Sequence, residues 1–299
     1  MWGGAGIECA FQGGGWPMIA RDALAVVFAF IYGTIVGSFL NVCIYRMPRE
    51  ESIIRPPSHC PSCGTRLKAR DLVPVLSFLV QRCRCRYCGS LISWRYLGVE
   101  LLTGLYFAAL VAVRGVDVDV VLALAFASTL IASFFIDLEH YIIPNELNLA
   151  GVVIGVARDG WKLATHAPGW GMATISLPWV GALHAPRSVV TAVGAALALY
   201  LVAVAGKWLF RREAMGLGDV KLAAAIGANL TAGAAIVGFF LAVLAGSLVG
   251  LLLVAFRVRA KRDLLPFGPF LTFGVLVAML YGDSLFQAYL RVAGLATPR

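Results

Sequence analysis

The chain has 299 residues, 60% of them hydrophobic and 14% charged, with a mean hydropathy of +0.83, values that exclude an ordinary soluble domain and indicate several membrane spans. The formal net charge of +9 does not indicate a nucleic-acid partner. The basic residues gather between apolar runs, where topology signals lie, and no basic stripe interleaved with aromatics is present.

Residues 1–20 are rich in glycine and hold no Lys or Arg, so they lack the basic start of a cleavable signal peptide. The first apolar run, 23–44, is therefore expected to stay as a helix, with 1–22 as a segment outside the cytoplasm. Gly33, Gly37 and Ser38 give that helix a small-residue seam for a neighbour, and Asn41 needs a partner inside the protein. A soluble loop is expected over 45–95, where ten Lys or Arg face only Glu50, Glu51 and Asp71. Such a bias retains a short loop in the cytoplasm.

Five of the seven cysteines fall between Cys60 and Cys88. Cys60 and Cys63 form one C-x2-C pair and Cys85 and Cys88 a second, a pattern that presents four thiolates as a closed tetrahedral Zn2+ site. The reading is a structural zinc holding together a loop with too little core to fold unaided. Cys83 is an extra thiol that breaks the spacing if it replaces Cys85.

Further apolar runs at 97–113, 118–136, 145–157, 188–209, 218–231, 233–256 and 266–282 bring the expected spans to about eight in an all-α polytopic body over 96–282. The segment 158–187 is expected as an outside loop, and 283–299 as a tail. Lys207, Arg211 and Arg212 follow the fifth run, and Arg257, Arg259, Lys261 and Arg262 follow the seventh. Both clusters agree with an amino terminus outside the cytoplasm. The runs 145–157 and 218–231 are short, and need tilt, local thinning or burial among neighbours.

Two aspartates stand at the edges of this apolar matter. Asp137 ends the third run, just ahead of Glu139, His140 and Pro144; Asp219 opens the sixth run behind Gly216-Leu217-Gly218. Each alone reads as a helix cap or a solvated helix end. Together, the expected topology sets both near the cytoplasmic face, where two carboxylates sharing a proton make an acid/base pair.

Asp137-Leu138 leading to Ile143-Pro144-Asn145, with Gly216-Leu217-Gly218-Asp219-Val220-Lys221-Leu222, resembles the paired signature of type IV prepilin peptidases, bacterial members of the G-x-G-D membrane aspartic proteases. The likeness also takes in Gly37-Ser38-Phe39-Leu40-Asn41-Val42, the two cysteine pairs, Ser93-Trp94-Arg95-Tyr96 with Glu100, and Pro266-Phe267-Gly268-Pro269, over about residues 33–275. It implies that Asp137 and Asp219 are catalytic. It also implies a bacterial inner (cytoplasmic) membrane enzyme that removes the basic leader of prepilins or pseudopilins and methylates the new amino terminus with S-adenosylmethionine. The residues that would bind this methyl donor are not named by the resemblance or by the sequence, which holds no G-x-G-x-x-G unit in a nucleotide-binding context. The expected partners are these substrates and membrane lipid. Two other readings remain open: a transporter with functional intramembrane carboxylates, which predicts two related halves and charges at mid-membrane, and a noncatalytic zinc-bearing scaffold.

Overall fold

The computed structural model describes residues 15–165, 172–177, 181–211, 215–256 and 266–295. Cys9, Arg212 and the basic cluster at Arg257–Arg262 lie outside the described residues.

Nine helices are present among the described residues: α1 (Gly15–Arg46), α2 (Leu76–Val80), α3 (Trp94–Arg114), α4 (Val118–His140), α5 (Asn145–Ala164), α6 (Arg187–Phe210), α7 (Leu217–Asn229), α8 (Ala232–Ala255) and α9 (Gly268–Val292). Local chemistry sets several boundaries. The Ser93 hydroxyl accepts from the Arg95 N–H to start α3, and Gly115, at φ 78°, ends it. Asp117 accepts from the Val120 N–H at 2.6 Å to start α4. At the other end of α4, Tyr141 takes a left-handed conformation and its N–H returns to the Asp137 carbonyl at 3.0 Å. Pro144 then leads into α5.

The seam expected at Gly33 and Gly37 packs on α3. A Cβ at Gly33 would come within 2.8 Å of the Gly104 Cα, and one at Gly37 within 2.8 Å of the Glu100 Cα, closer than packed carbons tolerate. Asn41 finds its partner here, donating to the Tyr96 carbonyl at 3.0 Å. The most buried of the candidate spans is α4, which packs on α1, α3, α5 and α9 and contributes Phe126, Leu130, Ile131 and Ile136 to the core.

Six helices, α1, α3, α4, α6, α8 and α9, are long and apolar enough to cross a membrane. The expected eight spans are not reached by length and composition. The fourth and sixth runs do form helices, but α7 has 13 residues, about 20 Å of rise against a hydrocarbon core of about 30 Å. The 20 residues of α5 include Glu146, Arg158, Asp159 and Lys162. Arg158 and Lys162 are instead paired, both with Asp119 of α4. Arg158 bonds the Asp119 carboxylate and, at 2.7 Å, the Asn229 carbonyl, and the Asn229 amide donates to the Gly151 carbonyl at 2.7 Å. Asp119 lies in the first turn of α4, so this brace ties α4, α5 and α7 at the end opposite Asp137.

The chain is mostly helical rather than all-α. Strands β1 (Met172–Leu177) and β2 (Gly181–Pro186) pair antiparallel, Met172 opposite Pro186 and Leu177 opposite Gly181. Within the segment 158–187 expected as a loop, residues 158–164 complete α5, and 172–177 and 181–186 form these two strands. Residues 283–292, expected as tail, continue α9.

Candidate active site

Asp137 sits in the last turn of α4 and Asp219 in the first turn of α7. Both are buried, at 6% and 8% exposure, and the charge of Asp137 reaches Asp219. A third element closes the site. The Gly268 N–H, at the start of α9, donates to the Asp137 carboxylate. No side chain fits at Gly268, because a Cβ there would overlap Asp137 Oδ2 and stand 3.0 Å from Ile143 Cδ1. Ile143 also lines Gly218, whose added Cβ would meet it at 3.5 Å. The two carboxylates are therefore held by the ends of three helices near Ile143, with Gly268 beside Asp137 and Gly216 beside Asp219.

The ends of these helices are fixed from outside the site. Arg95, in the first turn of α3, pairs with Glu139 two residues beyond Asp137. Lys221 donates to Asn145 Oδ1 at 2.8 Å, joining the first turns of α7 and α5. Sequence reasoning missed both links and the role of Gly268. Its only hint of the latter was a glycine set between Pro266-Phe267 and Pro269.

The four thiols expected to bind metal are brought together, with all Sγ atoms of Cys60, Cys63, Cys85 and Cys88 within 4.8 Å of one another. Cys60 and Cys88 Sγ are 3.9 Å apart, close to the roughly 3.8 Å edge of a tetrahedron with metal–sulfur bonds of about 2.3 Å. Two matching turns build the group. The Cys60 N–H bonds the Thr65 carbonyl and the Gly64 N–H the Cys60 carbonyl, and the same pattern links Cys85 to Ser90 and Gly89 to Cys85. Gly64 and Gly89 take positive φ, 67° and 73°, to complete these turns. Burial opposes ionisation of Cys60, but N–H groups of Cys63 and Ser62 and the Ser90 hydroxyl bring its thiol down to about 6. Cys85 receives N–H groups from Tyr87 and Cys88, yet burial and the Cys60 and Cys88 sulfurs push its thiol up. Four sulfurs gathered this closely, with Cys60 readily ionised, fit a site completed by a cation. Cys83 stands outside the group.

Asp71 braces the loop from beneath. Its buried carboxyl resists ionisation, but the Tyr87 hydroxyl, donating at 2.8 Å, and the Lys68 N–H with Arg86 outweigh that and hold it below the ordinary carboxylate range.

Residues 31–114 match the family model of the Bacterial Peptidase A24 N-terminal domain, and residues 124–251 that of the Type IV leader peptidase family. The chain is 34% identical over 264 residues to the prepilin leader peptidase/N-methyltransferase of Bacillus subtilis (strain 168), covering 88% of this chain and 97% of the relative. It is 32% identical over 289 residues to that of Aeromonas hydrophila, covering 87% and 92%. The protein of the same name from Myxococcus xanthus (strain DK1622) is 40% identical over 237 residues, covering 79% of this chain and 65% of that relative's length. No solved structure matches.

Proposed function

Because the chain belongs to the type IV leader peptidase family, we propose that it is a membrane aspartic endopeptidase that removes the leader of prepilins or pseudopilins and N-methylates the new amino terminus. The observation that carries this reading is the meeting of two buried carboxylates, 82 residues apart in the chain, at one end of the helix bundle. Nothing in the comparisons favours a carrier.

Asp137 and Asp219 are proposed as the catalytic pair. One carboxylate, ionised, takes a proton from a water molecule as it attacks the scissile carbonyl; the other, protonated, donates to the carbonyl oxygen. The Gly268 N–H donates to the Asp137 carboxylate. The backbone of Gly216-Leu217-Gly218 leaves room for a substrate strand beside Asp219. Purified protein given a leader-bearing pilin is expected to cleave it, and to methylate the product only when S-adenosylmethionine is added. Intact pilin after incubation would refute the peptidase. The methyltransferase reading rests on the relatives' names. Among the described residues no arrangement identifies a place for S-adenosylmethionine, so no step is routed through it.

The metal proposed for Cys60, Cys63, Cys85 and Cys88 is zinc, in a structural role, since four sulfurs close its coordination sphere and leave no position for water. Metal analysis is expected to return about one zinc per chain, reduced by Cys60→Ser or Cys85→Ser and kept by Cys83→Ser. Full metal in Cys85→Ser with loss in Cys83→Ser would reassign the site.

We also propose that α5 and α7 complete the membrane body beside the six longer spans, with the zinc loop and both aspartates on the cytoplasmic side of a bacterial inner membrane. The excess of Lys and Arg in 45–95 supports this orientation. A reporter inserted after Arg70 is expected to behave as cytoplasmic and one after Ala173 as exported. The same side for both would overturn it.

A further inference from the structure

The helix α2 has one buried side chain, Phe78, which meets the Trp94 ring edge-on at a centroid distance of 5.2 Å. Its other large apolar groups point outward. Leu76, Leu79 (56% exposed) and Val80 (74% exposed) form, with Leu72, Val73 and Trp94, an uncovered apolar surface on the zinc loop. Lys68, Arg82 and Arg84, all exposed, flank it.

Where this surface sits is set by a strained connection. Val75, at φ 61° and ψ −54°, occupies a conformation that a β-branched residue rarely adopts. The Leu76 N–H bonds the Pro74 carbonyl at 2.6 Å across this tight turn. The Val75 N–H donates at 2.7 Å to Glu100 Oε2, and Glu100 is a buried residue of α3 that also pairs with Ser38 of α1. Glu100 lies six residues past Trp94 in α3, about 9 Å along the helix. The start of α2 is thus fastened beside the first two turns of a membrane span, and Trp94, an aromatic residue at the mouth of that span, is part of the same packed unit.

We propose that α2 is an interfacial anchor: its apolar face lies in the surface of the bilayer, and Lys68, Arg82 and Arg84 meet anionic phospholipid headgroups. Two observations select lipid as the occupant. The surface is continuous with a helix that crosses the bilayer, and its cationic border complements an anionic lipid surface. A second copy of this chain, docked face to face, would set the same cations against each other.

The test uses full-length, zinc-loaded protein in nanodiscs of phosphatidylglycerol with phosphatidylcholine, or of phosphatidylcholine alone. A photoreactive residue, p-benzoylphenylalanine, replaces Leu79 or, as a control on the exposed metal knuckle, Ser62. Lipid adducts at position 79 are expected to exceed those at 62 by about tenfold, and to fall by roughly threefold or more without phosphatidylglycerol or in the Arg82→Glu, Arg84→Glu protein. Retained zinc in each variant shows that the loop is folded. Equal yields at the two positions, adducts to a second protein chain at 79, or adducts indifferent to phosphatidylglycerol would overturn the proposal.

Discussion

Asp137→Asn or Asp219→Asn is expected to lower leader cleavage by about a hundredfold or more. Asparagine keeps the volume and one hydrogen-bonding oxygen but carries no ionisable proton, so neither half of the acid/base exchange can run. Both side chains are buried and within each other's field, so they act as a unit and the double variant should lose little more than either single one. Glu139→Gln, two residues away, still offers Arg95 an oxygen at the helix end and should lose far less. The measurement is cleavage by membrane-inserted protein whose zinc content is normal. Near-normal cleavage by either Asp→Asn variant would exclude the pair.

Gly268→Ala is expected to be nearly as damaging, although it only adds one methyl group and removes no ionisable group. That methyl would overlap Asp137 Oδ2 and lie 3.1 Å from Asp137 Cγ, so the carboxylate must turn away or α9 must withdraw. Either shift is of the order of 1 Å, enough to cost about a hundredfold in a positioned site. Adding Ile143→Ala relieves the contact with Ile143 Cδ1 but not the overlap with Asp137, so it should not restore activity. Recovery of cleavage in that double variant would place the obstruction at Ile143 instead.

The features legible in the sequence are those that one stretch of chain carries by itself. Apolar runs marked most helix ends within a few residues, because burial in lipid needs uninterrupted hydrophobic length, but missed the start of α1 and the ends of α5 and α9, where polar residues continue the helix. The paired C-x2-C turns marked the thiol group, because each knuckle is a local structure closed by its own glycine. Asp137 and Asp219 stood out as charges against an apolar background. Contacts between distant segments were not legible. Glu100 looks like an isolated acid in a span until Val75 is seen to donate to it, and the proximity of Gly268 to Asp137 belongs to no single motif. The expected span at 145–157 stopped short of Arg158 and Asp159 for a related reason: that the helix continues through them depends on distant partners, Asp119 for Arg158 and the Ser188 N–H, at 2.6 Å, for Asp159.

The Arg158 brace bears on how the protein enters the membrane. Asp119 precedes Arg158 by 39 residues and has already emerged when α5 is made, but the Asn229 carbonyl follows by 71. At bacterial synthesis rates that gap is roughly 4 to 14 seconds. During it Arg158 lacks its bond to the Asn229 carbonyl, and one face of α5, at Gly151 and Gly155, awaits Ala225 and Ala228 of α7. α5 lacks the apolarity, and α7 the length, of the six candidate spans. The packing of α5 is therefore expected to be completed only once α7 is made. In chains truncated between residues 165 and 215, which stay anchored by α1, α3 and α4, a cysteine placed at Gly151 or Gly155 should react with a water-soluble maleimide far more readily than in chains that include α7.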